Sequence, residues 1–181
     1  MRFRAAQNLG LSLVLALAFG SSRAQGSQPS EYEIKAAFLF NFAKFVEWPL
    51  EAFAEPTSPF VIGILGENPF GDDFERTIRA KTVNNRSFII KEIGFLPEAR
   101  NCHILFINSS EKKRLSEIFE SLRGASVLTV GETERFVETG GIINFVKESD
   151  KIRLQINEDA AKSAGLKISS KLLSIALRPA R

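Results

Sequence analysis

The segment Phe60-Val-Ile-Gly-Ile-Leu65 is a short, uninterrupted apolar run, and it is followed by the turn Gly66-Glu-Asn-Pro-Phe-Gly71. A run of this length without polar alternation is typical of a strand that is buried on both faces, as in a parallel sheet. Asp72 or Asp73 could then cap a helix that extends to Arg79. The order of strand, turn and helix therefore predicts a sheet covered by helices.

The same alternation continues along the chain. Further strands are predicted at 87–93, 102–107 and 126–130, and helices at 111–123, 132–138, 158–164 and 168–177. Segments 142–146 and 151–156 flank a polar turn, and the second alternates apolar and polar residues, which predicts an antiparallel hairpin at the sheet edge. The predicted fold is one α/β domain with a mostly parallel sheet of five or six strands, helices on both faces and a C-terminal edge hairpin.

Upstream of this sheet, residues 31–48 predict a long amphipathic helix that ends before Pro49. Ser30 is suited to the N-cap position of this helix, because its hydroxyl can accept a backbone N–H in the first turn. Phe40 falls among the polar residues of the helix. This position leaves two alternatives, burial under a neighbouring loop or exposure as a contact residue.

The N-terminus has the features of a secretion signal. Arg2 and Arg4 precede the apolar segment 9–19, and Ser22-Arg-Ala24 fits a cleavage site for small residues. The apolar segment is too short to span a bilayer as a helix. We therefore expect a cleaved signal peptide at 1–24, a disordered tail at 25–30, a single domain at 31–178, and an exported protein without membrane insertion after cleavage.

Removal of that signal would change the charge of the protein. The full chain has 24 Lys and Arg against 21 Asp and Glu, and Arg2, Arg4 and Arg23 would leave with the signal. The mature chain would then be neutral, which argues against a nucleic-acid partner. The chain also has 16 Phe but only one Trp and one Tyr, so some Phe side chains are expected at a contact surface.

The chain has few residues suited to catalysis. His103 is the only histidine and Cys102 the only cysteine, and both lie in an apolar segment where burial is expected. Without a partner, Cys102 cannot form an intrachain disulfide, and no zinc or copper ligand set is apparent. We therefore expect no cofactor, no metal site and no enzyme activity.

The turn that follows the first strand is a candidate for a small ligand. Gly66, Asn68 and Gly71 lie where this strand meets its helix, which is where open α/β sheets often bind ligands. Backbone amides there could hold a small anion, and an ordinary tight turn is the alternative.

Two stretches together resemble the periplasmic YfiR family. The first is Glu31-Tyr-Glu-Ile-Lys-Ala-Ala-Phe-Leu-Phe-Asn-Phe-Ala-Lys-Phe-Val-Glu-Trp-Pro49, and the second runs from Gly140-Gly-Ile-Ile-Asn-Phe-Val146 to residues 165–173. The resemblance implies an exported, non-enzymatic regulator that binds the periplasmic sensor domain of an inner-membrane diguanylate cyclase and represses cyclic-di-GMP synthesis. The chain lacks the paired cysteines of the family pattern, since Cys102 is alone.

For such a regulator, the candidate contact residues fall into two groups. The first helix offers Phe40, Lys44 and Glu47, and the hairpin offers Ile142, Phe145, Arg153 and Gln155. The alternative is that these residues cover the core or face solvent. The edge hairpin and the surplus Phe residues would also allow a homodimer. A second hypothesis for the function is a periplasmic small-ligand sensor that uses the turn at 66–71.

Overall fold

The computed structural model describes residues 29–177. The predicted signal peptide, residues 25–28 of the predicted tail and the last residue of the predicted domain lie outside this range. Among the helices of residues 29–177, none is long and apolar enough to cross a membrane.

The described chain forms helices and strands in alternation. In chain order these are α1 (Glu31–Phe45), β1 (Val46–Glu47), β2 (Phe60–Leu65), α2 (Gly71–Arg79), β3 (Phe88–Ile93), β4 (Ile104–Ile107), α3 (Leu115–Ser121), β5 (Leu128–Gly131), α4 (Phe136–Thr139), β6 (Ile143–Glu148), β7 (Lys151–Ile156), α5 (Glu158–Ser163), β8 (Lys167–Ile168) and α6 (Ser170–Ser174). Short 3₁₀ helices occur at Leu50–Ala52, Leu96–Asn101 and Ser109–Arg114.

The main sheet has six strands in the order β3-β2-β4-β5-β6-β7. Its neighbours are parallel from β3 to β6, and β6 pairs with β7 as an antiparallel hairpin at the edge. The predicted α/β fold, with its mostly parallel sheet and its C-terminal edge hairpin, is confirmed. Because β2 lies between β3 and β4, the strand order reverses beside β2, and ligands commonly bind at such a point in doubly wound folds.

Helices cover both faces of the sheet and enclose two apolar clusters. The larger cluster joins α1, α2, α5 and α6 to one face, with Phe42, Ile62 and Phe106 at its centre. The smaller cluster joins α3 and α4 to the other face, around Ile107 and Phe136. A second, two-stranded sheet forms where β1 pairs with β8.

This small sheet accounts for two errors in the predicted helix boundaries. The first helix ends at Phe45 rather than Trp48, because Val46 has extended backbone angles and pairs with Ile168. The last helix begins at Ser170 instead of Ile168 for the same reason, and Ser169 caps it. Pairing between two distant segments is a tertiary effect that helical spacing alone does not reveal.

Three other helices differ from their predictions. The predicted helix 111–123 begins as a 3₁₀ helix capped by Asn108, and the α-helical part starts only at Leu115. The predicted helix 132–138 is reduced to Phe136–Thr139, because Arg135 takes a left-handed conformation with φ of 59°. Helix α2 starts at Gly71 with Phe70 at the N-cap position, so Asp72 and Asp73 lie within the helix and the predicted cap at either residue is wrong.

Candidate functional site

One face of the edge hairpin is open, and we call it the hairpin outer face. It comprises the alternate residues Val146, Glu148, Lys151, Arg153 and Gln155, all of which are exposed or half-buried. Their neighbours Phe145 and Leu154 lie on the opposite side of the strands, because successive side chains alternate, and both pack into the core beneath α1. The hairpin therefore has one face in the core and one polar face available to a partner.

Asn144 lies at the base of this outer face, beside a cavity of about 370 Å³ that residues 132–138 complete. Its amide nitrogen donates to the Thr133 carbonyl at 2.9 Å and to the Gln155 amide oxygen at 3.4 Å. Among residues 29–177, however, Asn144 Oδ1 and Thr133 Oγ1 are buried without a hydrogen-bond partner. A buried polar atom without a hydrogen bond destabilises the folded protein by about 1–3 kcal/mol. These two atoms therefore mark a region in which the chain by itself leaves buried hydrogen-bonding groups without a partner.

The exposed contact role predicted for Phe40 does not fit the structure. Its side chain is 8% exposed, and its ring centre lies 5.3 Å from that of Phe88. The ammonium nitrogens of Lys44 and Lys81 lie 4.3 and 4.6 Å from the ring centre of Phe40. Lys81 belongs to the loop that follows α2, and its side chain covers the Phe40 ring. Of the two alternatives for Phe40, burial under a neighbouring loop is therefore correct.

Ile142 and Phe145 also belong to the core rather than to a surface. They are 3% and 4% exposed. The Ile142 N–H donates to Thr129 Oγ1 at 3.0 Å, and the Phe145 ring centre lies 6.1 Å from that of Phe42. The sequence pattern identifies alternating residues, but it does not show which face of the hairpin contacts α1.

The remaining contact candidates are accessible but lie on two sides of the sheet. Lys44 and Glu47 lie on the α1 side, where Glu47 pairs with Lys167 at 3.4 Å. Arg153 and Gln155 belong to the hairpin outer face, where Arg153 lies 3.5 Å from Glu148. The structure therefore does not bring the two predicted groups together into one patch.

The turn at 66–71 is held by its own side chains. A Cβ atom added at Gly66 would lie 2.5 Å from Ser110 Oγ, so this position is closely packed against the segment after β4. Ser110 Oγ accepts from the Glu67 N–H at 3.2 Å. Asn68 accepts from the Phe70 N–H at 3.0 Å and donates to Glu92 at 2.8 Å. Two of the backbone amides that would hold an anion, those of Glu67 and Phe70, already donate to side chains of the protein. These contacts favour the alternative of an ordinary tight turn. Gly71 ends the turn and begins α2 with φ of 66°.

A buried charge network beside the hairpin was not found from the sequence. Lys35 Nζ lies 2.6 Å from Glu31 Oε1 and 2.7 Å from Glu132 Oε2. Glu132 Oε1 also accepts from Asn108 Nδ2 at 3.1 Å and from the Ser109 N–H at 3.3 Å. The signal that could have revealed it is Lys35 itself, a charged residue one turn before Leu39 on the apolar face of α1.

The environment of this network shifts the pKa values of Lys35, Glu31 and Tyr32. Burial by itself lowers the pKa of Lys35, but the hydrogen bonds and charges of Glu132 and Glu31 outweigh burial, so the pKa is raised. The hydrogen bond from Lys35 lowers the pKa of Glu31. Burial and the charge of Glu132 raise the pKa of Tyr32, whose ring lies 4.5 Å from the Lys35 ammonium. The network is therefore a charged bridge between α1 and the carboxyl ends of β4 and β5.

His103 and Cys102 are buried, as the sequence predicts. The Nδ1 atom of His103 accepts from the Val61 N–H at 3.0 Å, and its Nε2 lies 3.0 Å from the Ala52 carbonyl oxygen. Burial lowers the pKa of His103 and raises that of the Cys102 thiol to about 11. Within residues 29–177, no group of three His, Cys, Asp or Glu side chains is placed to hold a metal ion.

Comparison with known proteins places this chain in a family. The model of a family described as YfiR/HmsC-like matches residues 32–177. A crystal structure of a conserved domain protein from Vibrio cholerae O1 biovar El Tor is similar in fold, with a TM-score of 0.53 and 12% sequence identity over 83% of this chain. The chain spans 60% of that protein. No curated protein matches the sequence. Since the family model covers both the sheet and the hairpin, the chain belongs to the YfiR/HmsC-like family.

Proposed function

We propose that this protein is an exported, non-enzymatic regulator that binds the periplasmic sensor domain of an inner-membrane diguanylate cyclase and represses its synthesis of cyclic-di-GMP. The observation that carries the proposal is the family match over residues 32–177. The resemblance of residues 31–49 and 140–173 to the YfiR family supports the same role, and so does the predicted signal peptide.

We assign the contact with the cyclase to the hairpin outer face. It joins Lys151 and Arg153 to Glu148 and Gln155, so it offers donors, acceptors and both signs of charge to a partner. The unpaired Asn144 Oδ1 and Thr133 Oγ1 lie at its base. Electrostatic complementarity at such a surface contributes mainly to specificity and to the rate of association.

Repression needs only a difference in affinity. A regulator that binds the inactive conformation of the sensor domain more tightly than the active one shifts the cyclase toward the inactive state. A differential of about 5.5 kcal/mol moves such an equilibrium from 1:99 to 99:1. The regulator itself then needs no catalytic group.

The proposal is tested by capture and by deletion. The mature chain, tagged at its C-terminus, is used to capture proteins from detergent-solubilised membranes of its own organism, and cyclic-di-GMP is measured in a strain that lacks the gene. We expect a membrane diguanylate cyclase among the captured proteins and a raised cyclic-di-GMP level in the deletion strain, with restoration by the intact gene. An unchanged cyclic-di-GMP level together with no captured cyclase would refute the proposal.

Export is tested separately. N-terminal sequencing of the protein recovered from a periplasmic extract should begin at Gln25. A chain recovered only from the cytoplasm with Met1 intact would contradict the periplasmic location.

A further inference from the structure

A groove of about 300 Å³ lies between α1 and α2, away from the hairpin outer face. Tyr32, Ala36 and Ala37 form its α1 side, and Phe70, Phe74 and Ile78 form its α2 side. This volume is at the lower end of the range of about 300–1,000 Å³ that small-molecule sites occupy. A diacyl lipid is too large for it, whereas a single ring or a short acyl chain fits.

The apolar floor of the groove is fixed by contacts between aromatic rings. The ring centres of Tyr32 and Phe70 lie 5.7 Å apart in an edge-to-face arrangement, and those of Phe70 and Phe74 lie 4.8 Å apart. Phe70 is held from below by Phe106 at 4.9 Å. Since these rings hold each other in place, a ligand meets a preformed surface, which reduces the entropic cost of binding.

One end of the groove carries positive charge. Lys81 lines it, and the ammonium groups of Lys81 and Lys44 both lie over the ring of Phe40, at 4.6 and 4.3 Å. Lys44 does not line the groove, but its ammonium group lies within about 9 Å of that of Lys81, because both distances are measured to the same ring centre. Within residues 29–177, neither forms an ion pair with a carboxylate, and both retain hydrogen-bonding capacity.

The carboxylate on the rim of the groove is separated from this cationic end. Glu33 also lines the groove, but it accepts the Ser30 backbone N–H in the capping box of α1. It precedes Phe40 by seven residues, which is about 10 Å along a helix axis. The groove therefore has an apolar middle, a capped acidic end and an uncompensated basic end.

We propose that this groove binds a small amphipathic acid, with its apolar body between Tyr32 and Phe74 and its carboxylate at Lys81. The charge complementarity at one end and the aromatic floor select this class over neutral apolar molecules, because a charge-assisted hydrogen bond is about twice as strong as a neutral one. This site is independent of the cyclase contact, and it does not use the backbone amides of the turn at 66–71.

The experiment measures binding of 4-phenylbutyrate and octanoate to the mature chain by isothermal titration calorimetry, with 4-phenylbutyramide and octanamide as neutral probes. We expect the acids to bind at least about tenfold more tightly than the amides, the factor that one charged hydrogen bond supplies. Lys81→Gln should remove that preference, whereas Lys112→Gln, which changes an exposed lysine on the other side of the sheet, should leave it unchanged. Ala37→Phe, which adds a side chain at an exposed position in the groove, should abolish binding of all four probes.

Three results would overturn the proposal. In the first, the amides bind as tightly as the acids. In the second, the acids bind the Ala37→Phe variant with unchanged affinity. In the third, neither acid binds at millimolar concentration. Circular dichroism of each variant shows whether it is folded, and a loss of binding is interpreted only for folded variants. Since the cyclase contact is assigned to another face, failure here leaves the proposed regulatory function standing.

Discussion

The ammonium nitrogen of Lys35 lies 2.7 Å from Oε2 of Glu132, a residue 97 positions later in the chain. Both side chains are buried, at 4% and 7% exposure. Glu132 follows directly after β5, so this ion pair holds the first helix over the carboxyl end of the parallel sheet. Glu31, Asn108 and Ser109 complete the hydrogen bonds of the pair. Because both charges of the pair are buried and hydrogen-bonded, the network is sensitive to the loss of either charge.

We predict that Glu132→Gln destabilises the protein by about 3 kcal/mol, because breaking a buried ion pair leaves a charge without compensation. The cost should lie at the lower end of the usual range, since Glu31 still contacts Lys35 at 2.6 Å. The measurement is urea unfolding at pH 7 followed by circular dichroism.

The matched control is Glu120→Gln, which removes a pair between Glu120 and Arg123 whose side chains are 65% and 78% exposed. Exposed pairs contribute about 0–1 kcal/mol, so this variant should unfold almost as the parent does. The double variant Lys35→Met with Glu132→Leu should lose less stability than Glu132→Gln alone, because it removes both buried charges. Equal effects for Glu132→Gln and Glu120→Gln would show that the buried network adds nothing.

A second prediction concerns pH and His103. Burial lowers the pKa of His103 in the folded protein, while the unfolded chain has the ordinary value of about 6.5. A histidine with a lowered pKa contributes stability that is fully present above the unfolded pKa and is lost as the pH falls toward the folded one. We therefore expect the free energy of unfolding to decrease between about pH 7 and pH 5.

The variant that tests this is His103→Gln, which can keep one hydrogen bond and does not titrate. Its unfolding free energy should change less than that of the parent over this pH interval, as measured by urea titrations at both ends. The difference between the two slopes isolates His103 from the carboxylates, which both proteins share. Parallel slopes would contradict a buried neutral imidazole.

A third prediction concerns Cys102. Its side chain is 4% exposed, and burial raises the pKa of its thiol to about 11. Since the thiolate is the reactive form, native protein at pH 8 should react with a thiol reagent such as dithionitrobenzoate far more slowly than protein unfolded in urea. Fast labelling of the native protein, at the rate seen in urea, would show that Cys102 is accessible.

The sequence predicts much of the fold, because strand burial and helix capping are local. The apolar run at 60–65 becomes β2 with the predicted bounds, the alternating segment 151–156 becomes β7, and Ser30 caps the first helix as its residue type indicates. The pairing of Val46 with Ile168 was not predictable in the same way, since each residue fits a helical pattern until the other is beside it.

The candidate site is less predictable for a related reason. Phe145 and Arg153 both belong to the predicted hairpin, and only the position of α1 shows that the first is core and the second is surface. Phe40 looks exposed on a helical wheel but is covered by Lys44 and Lys81, the second of which comes from another element. The Lys35–Glu132 pair depends on a contact between distant segments, although Lys35 on an apolar face could have been noticed.

The last prediction separates the two groups of contact residues that the sequence suggested. Arg153 and Lys44 are both exposed cations, but Arg153 lies on the hairpin outer face and Lys44 on the α1 side. If the proposed cyclase is the partner, Arg153→Glu should weaken binding to its periplasmic domain at least about tenfold, because reversing a charge within an interface removes a favourable contact and adds a repulsive one. Lys44→Glu should leave that affinity within about twofold, since this residue lies outside the assigned surface. Both affinities are measured by surface plasmon resonance with the captured cyclase domain.

The same pair of variants is informative because neither change should disturb the fold. Arg153 lies 3.5 Å from Glu148 in an exposed pair, with side chains 46% and 56% accessible, and such pairs contribute little to stability. Equal urea midpoints for Arg153→Glu and the parent would therefore attribute a loss of affinity to the contact itself. The reverse pattern, in which Lys44→Glu abolishes binding while Arg153→Glu does not, would move the interface to the α1 side. In that case binding of the cyclase would cover the basic end of the groove, and amphipathic acids should compete with the partner.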